Sequence, residues 1–150
     1  MIPVVELTKK IGWKVSVADE CIAKIFPQKF PEADQVLNIP GTNVYREVRE
    51  MKDAYTLIMS HNFKYDLEVL RGLIKTDIRY IGVLEPKKRI NIMMEQLKKE
   101  GKSNWKETER RIFSPVGLNN GAETPDEIAL SIVTEIVAVH HNKNLWISER

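Results

Sequence analysis

The chain has 150 residues, of which 43% are hydrophobic, and its 23 basic residues nearly balance 21 acidic ones. This length suits one domain with a core of its own, and the small net charge excludes the whole-chain positive field that is typical of nucleic-acid-binding proteins. A single cysteine, Cys21, excludes a disulfide framework and a cysteine-rich zinc site, and the lack of a membrane-length apolar run or a secretion signal predicts a cytoplasmic protein.

The N-terminal third is predicted to hold one helix and two strands. Apolar residues at helical spacing before Gly12 predict a helix that stops at this glycine. The strand predicted at residues 13–18 ends at Asp19. An acid at the tip of a second Rossmann-type strand is well placed to accept hydrogen bonds from a ribose; the alternative is a solvated turn residue. Residues 34–39 predict an edge strand, and residues 44–51 predict a short helix.

The central segment, residues 53–89, carries the clearest pattern. An apolar run at residues 54–60 predicts a strand buried on both faces, and residues 80–84 predict a second buried strand after a leucine-rich helix. Strand, helix and strand in this order predict a right-handed parallel crossover. Because ligands bind beyond the carboxyl ends of parallel strands, the ends of these two strands form the predicted functional edge.

Three polar residues, Ser60, His61 and Asn62, end the first of these strands. They place several hydrogen-bonding groups on the predicted edge, so we expect them to contact the ligand. For His61, the alternative is a polar residue that caps Asp66 or only solvates the turn. A metal site is disfavoured, because no carboxylate shows ligand spacing with His61.

Basic residues open the helix that follows the second strand. Lys88 and Arg89 come shortly after Pro86, where free N–H groups and the helix dipole favour an anion and cationic side chains can surround it. This pattern predicts a phosphate site, and a solvated basic face is the alternative. The basic stretch at residues 98–111 is predicted to be a surface helical insertion.

A glycine- and asparagine-rich loop precedes the last helix. Gly117 and Asn119 follow a short extended piece predicted at residues 114–118, and the loop is predicted to aim backbone donors at the same edge. The alternative is a tight loop whose glycines serve only backbone geometry. Thr124 then begins a helix with a capping box, and this helix is apolar over much of its circumference.

The order of elements predicts an α/β fold with a Rossmann-like, doubly wound parallel sheet. We expect a single domain at residues 1–141 and a C-terminal tail at residues 142–150. The usual first strand and its glycine-rich turn would precede Met1, so the chain is a fragment, or this strand comes from elsewhere, or the sheet closes without it. No nucleophile elbow, Walker loop or acid–base pair of carboxylates is visible, so we predict a binding site with no catalytic residue and no metal.

Several short motifs carry a resemblance to a known family: Gly12-Trp13-Lys14-Val15 through Asp19, Phe30-Pro31-Glu32-Ala33-Asp34, Ser60-His61-Asn62 with Asp66-Leu67, Tyr80-Ile81-Gly82-Val83-Leu84 with Lys87-Lys88-Arg89, and Pro115-Val116-Gly117-Leu118 with Gly121-Ala122-Glu123-Thr124-Pro125-Asp126-Glu127-Ile128-Ala129. Together they resemble the Rossmann domain of the xanthine dehydrogenase accessory (XdhC/CoxI) proteins over nearly the whole chain. The last motif is the most specific. The chain departs from the family pattern at Glu85-Pro86, which puts an acid beside the predicted anion site.

The resemblance implies a maturation factor for molybdenum hydroxylases of the xanthine dehydrogenase type. Such a factor binds the molybdenum cofactor (molybdopterin), holds it while a sulfur ligand is installed, and passes it to the apoenzyme. The implied partners are the target hydroxylase, a cysteine desulfurase and a second copy of the chain. The residues expected to hold this ligand are Asp19, Ser60, His61, Asn62, Lys88, Arg89, Gly117 and Asn119.

Other functions stay open at this point. One is an NAD(P)-dependent oxidoreductase, which the fold permits but the missing glycine-rich turn disfavours. Another is a nucleotide-binding regulatory or purely structural module. A sulfur-carrying role for Cys21 is a further alternative, although a lone thiol is more often inert.

Overall fold

The computed structural model describes residues 2–21, 27–51, 53–101 and 104–143. These residues form two compact units. The first comprises the described residues up to Pro40 and those from Gly117 onward, and the second comprises the described residues from Gly41 to Val116. The single domain at residues 1–141 stays a prediction, and most of the predicted tail lies outside the described residues.

Helices and strands alternate along much of the chain. In chain order they are α1 (Ile2–Lys10), β1 (Ser16–Asp19), a 3-10 turn (Pro27–Lys29), β2 (Gln35–Asn38), a 3-10 helix (Gly41–Glu47), β3 (Tyr55–Ile58), α2 (Phe63–Leu73), β4 (Tyr80–Val83), α3 (Lys87–Lys99), α4 (Trp105–Arg111), β5 (Ile112–Phe113) and α5 (Pro125–His140).

The first unit contains α1, α5 and a two-stranded parallel sheet. In this sheet β1 pairs with β2, with Asp19 opposite Asn38. As predicted, α1 stops just before Gly12, which has a φ of 85°. The predicted capping box is also present, because the Thr124 hydroxyl accepts a hydrogen bond from the Glu127 N–H and the Glu127 carboxylate accepts one from the Thr124 N–H. α5 packs against α1.

The second unit is built on a three-stranded parallel sheet with the order β3-β4-β5. The central strand, β4, is buried at all four positions, whereas β3 is only partly buried at three of its four because it lies at the sheet edge. In the pairing of these two strands, Ile58 of β3 lies opposite Val83 of β4. Apolar side chains of α2 and α3, such as Leu70, Leu73 and Met93, form the core against this sheet.

The strand pairings match a Rossmann-like α/β fold. If β1 to β5 are taken as strands two to six of the doubly wound order 3-2-1-4-5-6, every pairing within the two sheets is one that this order requires.

The structure differs from the sequence-based expectation at four places. The strand predicted at residues 54–60 to be buried on both faces is β3, which spans Tyr55–Ile58 and is only partly buried at three of its four positions. A 3-10 helix at Gly41–Glu47 replaces the helix predicted at residues 44–51. The short strand before the glycine-rich loop is β5, which pairs Ile112 with Ile81, and not residues 114–118. The stretch at residues 98–111 is not a simple surface insertion, because Thr108 is buried and Arg111 donates hydrogen bonds to carbonyls of the α2–β4 connection.

Of the helices in the described ranges, none combines the length and the apolar character that crossing a membrane requires.

Candidate functional site

Two strand ends of the second unit lie at one edge of its sheet. β3 and β4 are parallel, and Ile58 and Val83 are partners at their carboxyl ends. The residues that follow each strand, Ser60 after β3 and Glu85 after β4, therefore project from the same edge. This is the edge at which ligands bind in open parallel sheets, and most of the candidate site is built here.

The turn from β3 to α2 is tied together by its own polar groups. The Asn62 side chain caps α2 by accepting a hydrogen bond of 3.2 Å from the Tyr65 N–H. The Ser60 hydroxyl accepts a hydrogen bond of 3.1 Å from the Asn62 N–H. Both side chains that were predicted to contact a ligand thus have a structural role at the start of the helix. Their contact with a ligand stays a prediction.

His61 stands out in this turn because of its backbone. Its φ is 61°, in the left-handed region that residues other than glycine seldom adopt. The imidazole is exposed. Ser60, and not His61, makes the hydrogen bond to Asp66, so the alternative in which His61 caps Asp66 is not what the structure shows. An exposed imidazole on a strained backbone at the strand end is available to a ligand.

Two carboxyl groups are buried behind this turn. Asp66 in the first turn of α2 is 1% exposed, and Glu85 at the end of β4 is 2% exposed. Ser60 donates a hydrogen bond to Asp66 Oδ1, and the Asp66 carboxyl group interacts with the carboxyl group of Glu85. Within the described ranges, neither Asp66 Oδ2 nor Glu85 Oε2 accepts a well-formed hydrogen bond from a protein donor.

This environment changes the acidity of Asp66. Burial, followed by the hydrogen bond with Glu85, raises the pKa of the Asp66 carboxyl from 3.8 to about 7, although the hydrogen bond from Ser60 acts in the opposite direction. Asp66 therefore exchanges a proton near neutral pH. A buried carboxyl group with a raised pKa beside a second one is more typical of a functional site than of a structural core.

Arg89 connects the carboxyl pair to the start of α3. Its Nη1 lies 3.2 Å from Glu85 Oε2, and its guanidinium group lies over the Phe63 ring at 5.5 Å from the centroid. The side chain of Arg89 is 36% exposed, so part of it faces solvent. Because Glu85 already balances its charge, Arg89 is a weaker anion ligand than the sequence alone predicts.

The first turn of α3 has unsatisfied donors and exposed positive charge. Pro86 precedes this helix and provides no side-chain cap. Lys87 and Lys88 are exposed, and no acidic residue lies in the first turn. Free N–H groups at a helix start favour an anion. Phosphate binding by Lys88 stays a prediction.

Three predicted site residues belong to the first unit. Asp19, at the end of β1, is 6% exposed, and its Oδ1 accepts a hydrogen bond of 2.9 Å from the Cys21 N–H. It is therefore not the solvated turn residue that was its alternative. The Gly117 N–H donates to the buried Glu135 carboxylate at 3.2 Å, so this donor is already used. Asn119 is exposed in the same loop.

The structure thus joins only some of the predicted site residues into one network. Ser60 and Arg89 are linked through the carboxyl pair, and His61, Asn62 and Lys88 lie at the two helix starts beside it. Asp66 and Glu85 themselves were missed as a pair, since they lie 19 positions apart in the sequence. Asp66 falls on the same helical stripe as Leu70 and Leu73, and an acid on a buried stripe is the signal that would have revealed it.

The residues that the structure describes do not indicate a metal-binding site. No group of three or more histidine, cysteine or acidic side chains is placed there to hold a metal ion. Cys21 is a free, exposed thiol.

Comparison with known proteins places the chain in a family. Residues 1–136 match the family model of the XdhC Rossmann domain. The chain is 32% identical over 133 residues to the uncharacterized protein YqeB of Escherichia coli K12, and 28% identical over 136 residues to a Bacillus subtilis 168 protein named as a probable xanthine dehydrogenase subunit. It covers 24% and 38% of these two proteins, respectively.

A solved structure shows the same fold. The chain superposes on a crystal structure described as a xanthine dehydrogenase from Bacillus halodurans with a TM-score of 0.77 and 30% sequence identity, covering 95% of this chain and 40% of that one. The chain therefore spans less than half the length of each of these relatives. The match of the family model over residues 1–136, together with these similarities, shows that this chain belongs to the XdhC family and carries its Rossmann domain.

Proposed function

We propose that this chain is an accessory factor of a xanthine dehydrogenase-type molybdenum hydroxylase. In this proposal it works in the cytoplasm, binds the molybdenum cofactor while a sulfur ligand is installed, and passes the cofactor to the apoenzyme. The hydroxylase apoenzyme, a cysteine desulfurase and a second copy of the chain are its partners. Membership of the XdhC family is the observation that carries the proposal, and two relatives are named for xanthine dehydrogenase.

The residues at the sheet edge of the second unit fit the anionic part of such a cofactor. Molybdopterin carries a phosphate group, and the start of α3 offers free N–H groups next to the exposed Lys87 and Lys88. The exposed His61 imidazole adds a hydrogen-bonding group at the neighbouring strand end. These residues would hold and orient the cofactor. When bound, the cofactor would supply the metal centre, for which the described part of the protein provides no ligand cluster.

A binding measurement with two variants tests the proposal. Lys88→Gln and His61→Ala alter exposed side chains and should leave the fold unchanged, but each should weaken retention of molybdopterin by about fivefold, the scale of one partly exposed charged contact. Lys99→Gln, an exposed lysine at the other end of the same helix, is the matched control and should retain molybdopterin like the unaltered protein. Equal retention of molybdopterin by all three variants would show that this edge is not part of the binding site.

A nucleotide is the second candidate ligand, as in an NAD(P)-dependent oxidoreductase or a nucleotide-binding regulatory module. Asp19 favours it, because a buried acid at the end of β1 occupies the position from which a ribose is bound in dinucleotide-binding folds. Asp19→Asn should weaken binding of NAD(P) or AMP if this candidate is correct, whereas the cofactor proposal predicts that the unaltered protein does not bind these nucleotides specifically. Competition between AMP and molybdopterin for the protein separates the two directly.

A further inference from the structure

Four side chains form a continuous polar network at the candidate site. Ser60 donates to Asp66, the buried carboxyl groups of Asp66 and Glu85 interact with each other, and Glu85 forms an ion pair with Arg89. The network joins the β3 end, the first turn of α2, the β4 end and the first turn of α3. It therefore connects all the elements that present predicted ligand-binding residues in the second unit.

The charges of this network do not balance when both acids are ionised. Asp66 and Glu85 are buried, and Arg89 is the cation that the structure pairs with them. The Ser60 hydroxyl contacts the pair from the β3–α2 turn, and Arg89 contacts it from α3. One positive charge against two buried negative charges leaves one negative charge uncompensated, which is strongly unfavourable in a buried setting.

One proton removes this imbalance and also supplies a missing donor. Asp66 Oδ2 and Glu85 Oε2 are buried acceptor atoms without a well-formed hydrogen bond from the described protein. A proton on Asp66 would be able to donate to Glu85, while Ser60 donates to Asp66 Oδ1. Glu85 would then keep its ion pair with Arg89. Two buried carboxyl groups that share a proton are the known solution for such a pair.

We propose that Asp66 and Glu85 hold a single proton between them at neutral pH, and that this shared proton positions Arg89 and makes anion binding at the sheet edge dependent on pH. The inference rests on the proposed function in taking this edge as the place where an anionic ligand binds. Asp66 is too deeply buried to touch that ligand, so it is a positioning residue.

The direction of the pH effect follows from the charge count. With the shared proton, the Asp66–Glu85 pair carries one negative charge, which Arg89 balances. When Asp66 loses the proton, above about pH 7, the pair gains a second negative charge next to the anion site. Anion affinity should therefore fall as the pH rises through this range, by about fivefold for one additional charge at a partly screened distance.

The variant Asp66→Asn imitates the protonated acid. Its amide oxygen can accept the hydrogen bond from Ser60, and its amide N–H can donate to Glu85, but it cannot ionise. Sulfate is a suitable probe, because it keeps its charge throughout this pH range. We expect sulfate affinity of the unaltered protein to fall about fivefold between about pH 6 and about pH 8.5, and affinity of Asp66→Asn to fall clearly less. The exposed His61 is common to both proteins, so the difference reports Asp66 alone.

Unfolding by urea tests the shared proton without any ligand. Because the pKa of Asp66 is raised in the folded protein, this carboxyl group should lower the stability as the pH rises from about 4 to about 7, so the urea midpoint of the unaltered protein should fall relative to that of Asp66→Asn. Asp66→Asn should lack this pH-dependent loss of stability and should be more stable than the unaltered protein above pH 7. Asp53→Asn, at an exposed aspartate of the same unit, is the control and should leave the profile unchanged.

The outcomes separate this inference from the proposed function. If Asp66→Asn loses stability with the same pH dependence as the unaltered protein, the shared proton is refuted. If the stability profile changes as expected but sulfate affinity has the same pH dependence in both proteins, or sulfate does not bind at all, the positioning role is refuted. If both sulfate and stability behave as expected but molybdopterin is not retained, only the proposed function is refuted.

Discussion

The hydroxyl group of Ser60, just beyond the end of β3, donates a hydrogen bond to the carboxyl group of Asp66 in the first turn of α2. This bond links the strand end to a buried acid that titrates near neutral pH. The same hydroxyl accepts a hydrogen bond from the Asn62 N–H, so Ser60 also fixes the start of the helix. Ser60 thus contacts both the backbone of the β3–α2 turn and the titrating carboxyl group of Asp66.

Removing this hydroxyl should raise the pKa of Asp66 further. The hydrogen bond from Ser60 favours the ionised form of Asp66, so Ser60→Ala should move the carboxyl titration above pH 7. The free energy of unfolding should fall by about 1 kcal/mol, because the Asn62 N–H and Asp66 each lose a partner. Carbon-detected NMR titration of the Asp66 carboxyl measures the pKa. An unchanged or lower pKa in Ser60→Ala would contradict the hydrogen-bonded arrangement, and Ser16→Ala, at an exposed serine of the first unit, is the control.

Arg111 should be one of the most sensitive positions of the second unit. Its guanidinium group donates to the carbonyl oxygens of Thr76, Ile78 and Ile74 at 2.9, 2.8 and 2.9 Å. Arg111→Ala should lower the free energy of unfolding by about 3 kcal/mol, since charged hydrogen bonds to partly buried acceptors are lost. Arg111→Lys should recover less than half of this, because one ammonium group cannot reach three separate carbonyls. Urea unfolding measures both.

The neighbouring Arg110 provides the control for Arg111. It is exposed on the same helix, so Arg110→Ala should change the free energy of unfolding by less than about 0.5 kcal/mol. A similar loss for Arg110→Ala and Arg111→Ala would show that general charge, rather than the three hydrogen bonds, stabilises this region.

Two glycines of the loop before α5 should respond differently to alanine. Gly117 and Gly121 both have positive φ, 95° and 80°, so alanine is strained at either position. A Cβ atom on Gly117 would lie 2.8 Å from Ser131 Oγ, whereas one on Gly121 has no atom within 4 Å among the described residues. Gly121→Ala should therefore cost about 1 kcal/mol, and Gly117→Ala about 1 to 2 kcal/mol more.

Thermal or urea unfolding of the two glycine variants tests this difference. Ser131 Oγ donates to the Leu118 carbonyl at 2.9 Å, so its displacement would also loosen the loop that carries Asn119. Equal destabilisation by both variants would mean that backbone strain alone, and not the contact with Ser131, determines the cost.

Much of the fold could be predicted from local patterns. The capping box at Thr124 and the helix end at Gly12 depend only on interactions between residues that are close in the sequence. Both predictions are confirmed. The buried strand β4 was equally clear, because a continuous apolar run is typical of a central parallel strand. β5 has only two residues, Ile112 and Phe113, which is too short for a periodic pattern.

The interior polar groups could not be predicted in the same way. Arg111 looked like one more charge of a basic surface stretch, and only the fold brings it to the carbonyls that follow α2. Asp66 and Glu85 belong to different elements, so their contact depends on the parallel pairing of β3 and β4. The sequence did indicate the edge of the sheet where they lie. It also indicated an acid, Glu85, beside the predicted anion site, but not that this acid is buried and forms an ion pair with Arg89.

Native mass spectrometry of the protein, purified from cells that make the molybdenum cofactor, identifies the ligand that the protein carries. The protein should carry a bound molecule whose mass is that of a molybdopterin form, and Lys88→Gln should carry less of it than Lys99→Gln. A bound adenine nucleotide or NAD(P), or a protein that stays empty when molybdopterin is added, would contradict the account.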